Sequence, residues 1–256
     1  MAYKIRVATR KERLKKPDEF IGTVDWLGGK IKEHTKLAWT IVGLVLILGA
    51  GIGATWFYQE QQKNRAASLE YQGLQYYRQQ APDDDKGAAP SKEENYKKAV
   101  EQYQKILQEY PRTPSASIAQ FYLGNTYMEL KDFDSAVSSY RVFLEKNPKN
   151  DILAGITYQR LGYAYLAKNS PEDARQAFES VERLAGALNR DQAAYELGRI
   201  HEALGKKDEA IKHYQEIVNR YPDSLFLADA QKRLNVMGVT EVKPAPGNAP
   251  TATEKK

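Results

Sequence analysis

Hydrophobic and polar positions divide this chain into three parts. From Leu37 to Tyr58 the run LAWTIVGLVLILGAGIGATWFY holds no charged residue. At about 1.5 Å of rise per residue its 22 residues reach roughly 33 Å, enough to cross a bilayer core with slight tilt. Trp39 lies near one end and Trp56, Phe57 and Tyr58 at the other, where amphipathic rings favour the headgroup layer. A cleavable signal peptide has a shorter apolar core that ends in small residues. Here the run is longer and bulky aromatics follow its glycines, so an uncleaved transmembrane helix is expected over 37–58.

Before this run, residues 1–16 show no periodicity. Pro17, Asp18 and Glu19 then make a helix start, and Phe20, Ile21, Val24, Leu27 and Ile31 follow at helical spacing, interrupted at Gly28-Gly29. That pattern predicts a short amphipathic helix on the inner membrane surface; a docking helix for a cytoplasmic partner is the alternative. Within the apolar run, GAGIGA is no dinucleotide fingerprint, because no strand precedes it. Gly49 and Gly53 do have the close-packing spacing of membrane helices, which makes them the place for homo-oligomer formation or packing on another membrane helix. From Gln59 helical sequence continues without a breaker to about Gln80, with Leu69, Gly73, Tyr76 and Tyr77 on one face. The membrane helix is therefore expected to run into the next domain with no flexible linker. Residues 81–94, rich in Pro, Gly and acid, read as a loop.

The remainder, within 59–238, repeats. Leu123-Gly124, Tyr127, Ala136, Tyr140 and Pro148 align with Leu161-Gly162, Tyr165, Ala174 and Phe178, and again with Leu197-Gly198, His201, Ala210, Tyr214 and Pro222. A partial copy precedes them, with Gly73, Tyr76 and Tyr77 as its first half and Ala99, Tyr103 and Pro111 as its second. The pattern resembles the tetratricopeptide repeat, although its Trp position is filled by Gln120, Tyr158 and Ala194. The resemblance implies an all-α protein: a single transmembrane helix, then an α-solenoid of three to four helix pairs. The glycines should let paired helices approach, the alanines supply small facing residues, and the aromatic four residues on should fill the gap to the next unit. Leu225–Val236 would cap the last open face, and 239–256 reads as a Pro- and Ala-rich tail.

Charge gives the plan a direction. Residues 1–36 carry ten Lys and Arg against five Asp and Glu, whereas 59–238 carry 25 against 26. The calculated pI of about 9.0 thus comes from the short arm. A folded domain without net positive charge argues against nucleic acid as a partner, and a basic arm suits the cytoplasmic side. In a bacterium this predicts a single-pass inner-membrane protein with its N-terminus in the cytoplasm and its repeats in the periplasm. An organelle lumen would satisfy the same physics.

The sequence offers no catalytic constellation. With no cysteine, disulfides, thiolate chemistry and cysteine zinc sites are excluded. Among the histidines, His201 occupies a repeat packing position and His213 has no partner pattern in sequence. Asp132, Asp134, Glu172 and Asp173 fall at helix starts, where they suit capping. No enzyme activity, metal site or cofactor is expected.

What remains is a surface. In the repeat family the first helices line a concave groove, which maps here to Phe121, Asn125 and Met128, then Gln159 and Tyr163, then Tyr195 and Arg199, together with Ile118, Leu166 and Gln192. Such a mixed aromatic and polar lining suits peptide segments. The family's carboxylate clamp for chaperone tails is matched only by Asn125, so chaperone-tail binding is not expected. The whole architecture is similar to the ancillary subunit family of the bacterial Sec translocon, and the repeats also resemble those of the Tol-Pal coordinator and the outer-membrane assembly lipoprotein. The resemblance implies a non-enzymatic interaction module that assists export or folding of envelope proteins, with translocon components, periplasmic chaperones or exported chains as partners. A structural scaffold of an envelope complex, or a polysaccharide-assembly accessory, is the alternative.

Overall fold

The structure is a computed structural model that describes residues 35–79, 91–147 and 150–239. Nine helices make up its regular structure among these residues, with no strand: α1 (Thr35–Tyr77), α2 (Lys92–Glu109), α3 (Pro114–Glu129), α4 (Phe133–Lys146), α5 (Asp151–Ala167), α6 (Pro171–Arg183), α7 (Arg190–Ala203), α8 (Lys207–Arg220) and α9 (Leu227–Val236). The amphipathic helix expected over 17–31, most of the 81–94 loop, Pro148 and the tail after Val239 lie outside the described residues. By packing the chain divides into two units, Met1–Gln61 and Gln62–Lys256.

In the first unit the described part is the apolar stretch of α1. Its large side chains are bare, Leu46 being 67% and Ile47 71% exposed. A helix this apolar on every side requires an apolar medium or a partner around it. Its few polar groups satisfy themselves: the Thr40 hydroxyl donates to Leu37 O at 2.7 Å and that of Thr55 to Ile52 O at 2.8 Å. Internal satisfaction of this kind is what a lipid environment demands. By length and composition α1 is able to cross a membrane. It runs unbroken through residues 59–77, three short of the Gln80 at which helical sequence was expected to stop.

The second unit is a chain of helix pairs, and from α2 onward each helix packs on its neighbours in sequence. The last part of α1 pairs with α2, and α3/α4, α5/α6 and α7/α8 follow, giving four pairs. The partial copy is thus a full unit: Ala66 and Leu69 of α1 pack with Ala99, Tyr103 and Ile106 of α2. The first and second helices of the other three pairs are joined by the same tight turn. Lys131, Asn169 and Gly205 each adopt a left-handed conformation, with φ of 60°, 58° and 71°. Directly after them, Asp132 N, Ser170 N and Lys206 N donate back to the carbonyls of Tyr127, Tyr165 and His201 at 2.8–2.9 Å. This closure of the helix C-terminus reverses the chain within a few residues. In two of these three pairs the second helix then starts on a cap or a proline: Asp132 accepts from Ser135 N, and Pro171 opens α6.

Glycine sets the distance between paired helices. A methyl group on Gly73, Gly124, Gly162 or Gly198 would meet the ring of Tyr103, Tyr140, Phe178 or Tyr214 at 2.5–2.6 Å, closer than side chains tolerate. Each ring is fully buried. On its other side it shares a core cluster with the next unit: Tyr103 with Leu123, Tyr140 with Leu161, Phe178 with Leu197, and Tyr214 with Leu234. One aromatic per unit therefore packs both within its own pair and onto the next, worth about 1.5–3 kcal/mol of burial apiece. Leu234 belongs to α9, whose Ala230 is also buried while Gln231, Lys232 and Asn235 face solvent. A polar outer face is what a terminal cap of a solenoid requires.

Candidate protein-binding surface

The residues expected to line a groove stand on α3, α5 and α7, the first helices of three successive pairs. The repeat carries similar positions forward by one unit, and polar side chains meet across the junctions at that interval. Between α5 and α7 they form one network. The Tyr163 hydroxyl donates to Glu196 Oε1 at 3.1 Å and accepts from Gln192 Nε2 at 2.8 Å. Asn189 Nδ2 donates to Gln159 Oε1 at 2.8 Å, and Arg199 Nη1 donates to Glu196 Oε2 at 3.0 Å. Gln159, Tyr163 and Arg199 are thus brought together, and Glu196 joins them. Its side chain is 6% exposed, while that of Arg199 is 52% exposed. A buried carboxylate bonded to a phenol and to a half-exposed guanidinium holds these side chains in place, because Glu196 is satisfied only with both partners present. Burial raises the Tyr163 phenol pKa, and the Glu196 carboxylate adds to that.

Tyr195 stands apart from this network. Its ring stacks on Phe226 at 4.9 Å between centroids and tilts toward Tyr214 at 6.0 Å, so its contacts lead to the start of the cap. Phe121 is half-buried among Tyr122, Tyr140 and Phe143. Met128 is half-buried against Ala136, Tyr140 and their cluster. Asn125 is placed differently from the expectation. It is only 8% exposed, and its Oδ1 accepts from the Tyr140 hydroxyl at 2.7 Å inside its own pair. A short side chain bound to a buried ring cannot present itself to a ligand, so Asn125 belongs to the packing.

Of the packing residues, Ala136, Ala174 and Ala210 are fully buried. Tyr127 and Tyr165 are half-buried between units, and the Tyr127 hydroxyl accepts from Gln104 Nε2 of the preceding pair at 3.0 Å. His201, at the corresponding place, is buried and stacks on His213 with centroids 5.3 Å apart. Burial lowers the His201 pKa, and His213 lowers it further. His213 does have close neighbours: its Nδ1 lies 3.4 Å from Glu182 Oε1 of α6. No pattern in sequence marks this partner, because the two residues meet only where the second helices of successive pairs, α6 and α8, come close across a repeat junction.

A cleft of about 450 Å³ lies between the α6–α7 and α8–α9 connections, bordered by Arg190, Asp191, Arg220 and Tyr221. None of the residues expected to line the groove borders it. In the apolar part of α1, Gly49 and Gly53 have nothing within 4 Å of where a methyl group would stand, so the notch they form is open.

Comparison with known proteins agrees with this architecture. A family described as tetratricopeptide repeat-like domain matches residues 32–233, which takes in the apolar helix as well as the pairs. Among curated proteins, the human intraflagellar transport protein 88 homolog is 25% identical over 126 residues, 49% of this chain. The chain spans only 15% of that protein's length. A crystal structure of MamA protein superposes with a TM-score of 0.52 at 18% identity, covering 68% of this chain and 83% of that one. A second crystal structure of MamA covers 57% and 80% at 21% identity, with a TM-score of 0.46. The MamA likeness concerns the fold. With a family match across most of its length and four helix pairs built on one repeated glycine–aromatic contact, the chain belongs to the tetratricopeptide repeat-like domain family.

Proposed function

We propose that the chain, by its family a protein–protein interaction module rather than an enzyme, acts as a membrane-anchored module, single-pass in the inner membrane, with its basic arm in the cytoplasm and its helix pairs in the periplasm. In this reading it assists export or folding of envelope proteins, its partners being translocon components, periplasmic chaperones or exported chains. The observation that carries the proposal is α1: one unbroken helix, bare and apolar through its first part and packed into the first repeat pair through its last. The asymmetric charge of residues 1–36 supports the orientation. That the family match begins at residue 32 supports the apolar helix as part of the family's architecture. The side chains of α3, α5 and α7, above all Tyr163, Gln159, Arg199, Phe121 and Met128, are the surface assigned to the partner. The open notch at Gly49 and Gly53 suits a second membrane helix, from another copy or another protein.

Two results test this. A reporter that is active only outside the cytoplasm, fused after Ile106, should be active, and protease added to spheroplasts should remove the pairs and leave an anchor-sized fragment. Full protection would refute the orientation. Affinity purification of the full chain from membranes should then recover translocon components with many exported chains. A single stable set of envelope proteins would support a structural scaffold in its place.

A further inference from the structure

The junction between the third and fourth helix pairs holds a group of side chains that no packing role explains. Glu182 stands near the end of α6, and His213 and Glu216, three residues apart, share one face of α8. A ring nitrogen and two carboxylate oxygens from these residues lie within 4.8 Å of one another. All three side chains are only 20–23% exposed. Glu182 Oε1 and His213 Nδ1 are shut off from solvent, and although 3.4 Å apart, neither makes a hydrogen bond. Buried polar atoms of this kind are nearly always satisfied, and two orphans aimed at one another leave room for a shared third atom.

We propose that Glu182, His213 and Glu216 form a zinc-class divalent-cation site that ties α6 to α8. One imidazole nitrogen with two carboxylates is a donor set zinc accepts, whereas magnesium and calcium take oxygen donors. Two carboxylates and a neutral imidazole carry a charge of −2, of which the Arg220 guanidinium already offsets one unit at Glu216, and a divalent ion meets the negative charge that remains. Donors about 2.0–2.2 Å from a tetrahedral zinc stand about 3.4 Å apart. The Glu182–His213 separation already meets that spacing, and Glu216 reaches it by rotating its side chain. Arg220 pairs with Glu216 Oε1, which leaves the other oxygen for the ion. His201 stacks flat on His213, at 9° between planes, and holds the ring's orientation from behind. The fourth position, on the partly exposed side, would take water. Because the ligands come from the second helices of two successive pairs, the bound ion would act as a clamp across a repeat junction.

The test is calorimetric titration of ZnCl2 into the full-length chain in detergent, after treatment with chelator. The expected result is one zinc per chain, with affinity lowered roughly tenfold or more in Glu182→Gln and in His213→Gln and unchanged in His34→Gln. Glu216→Gln should keep the helical circular dichroism of the parent and still weaken zinc. On the parent protein, ZnCl2 should raise the thermal midpoint, and by less in Glu216→Gln. Affinity should also fall as pH drops from about 7.5 to about 5.5, since the imidazole must lose its proton to bind. No zinc uptake at micromolar concentration, or an affinity equal to the parent's in both Glu182→Gln and Glu216→Gln, would overturn the proposal and leave a His213–Glu182 contact only. Displacement of zinc by millimolar MgCl2 or CaCl2 would overturn the zinc class.

Discussion

Gly49, Gly53 and Gly73 all lie on the same unbroken helix, yet their surroundings have nothing in common. Around the first two there is open space, and the neighbouring leucines and isoleucines are exposed. Over Gly73 lies the ring of Tyr103, so close that no methyl group would fit. Past Gln61 the helix exchanges a face offered to its environment for a face consumed by its own repeat. The same residue type therefore serves two purposes. In the apolar part its smallness is available to something outside the chain; in the pairs it is already occupied. Substitutions at matched positions should separate the two.

Removing a junction ring should have the largest effect. Tyr140→Ala empties a fully buried site that touches its own pair and the next, and it leaves Asn125 without its donor. A loss of about 3–5 kcal/mol in chemical denaturation is expected. Trp56→Ala, among the exposed aromatics of α1, should leave that value unchanged.

Alkali should act on the same rings next. Burial holds the phenol pKa values of Tyr103, Tyr140 and Tyr214 well above the usual value of about 10, with Glu202 adding to the effect at Tyr214. Because the folded values exceed the unfolded one, the stability linked to them is complete below about pH 10 and falls as pH rises beyond it. Phenolate absorbance from these rings should appear together with loss of helicity, not before it. Ionisation of all three with helicity intact would show that they are not enclosed.

Gly124→Ala should cost about 1–3 kcal/mol, since the ring of Tyr140 must shift to admit the methyl group. Gly49→Ala should stay within about 0.5 kcal/mol of the parent. Equal effects at both would erase the distinction between the two parts. Smallest is a gain: Lys131→Gly removes a side chain from a left-handed position, with φ of 60°, and should add about 0.5–1 kcal/mol.

Much of this fold could be read from the sequence, because the glycine and the aromatic recur sixteen residues apart in three copies: Gly124 and Tyr140, Gly162 and Phe178, Gly198 and Tyr214. Small and large residues at a fixed interval describe one packing contact made repeatedly. The surface was less legible. Asn125 reads as a polar groove residue, but only the position of the Tyr140 ring shows that its amide faces inward. Glu196 carries no sequence signal that sets it apart from other helix glutamates. Its importance comes from meeting Tyr163, 33 residues earlier, across a junction. Glu182 and His213 are likewise joined only by the stacking of α6 and α8. Lys131 and Asn169 adopt the conformation that Gly205 announces by its type. Contacts inside a pair leave a periodic trace in sequence, whereas side chains meeting between pairs need the geometry.

The most direct test of the account compares two faces of the array in the membrane. A photo-crosslinking phenylalanine is placed at Tyr163, on the first-helix surface, or at Lys212, exposed on the second helix α8. Adducts to partner proteins are expected from position 163 and few from 212. Adducts equally abundant at both positions, or found only from 212, would contradict the assignment of the first-helix surface to the partner.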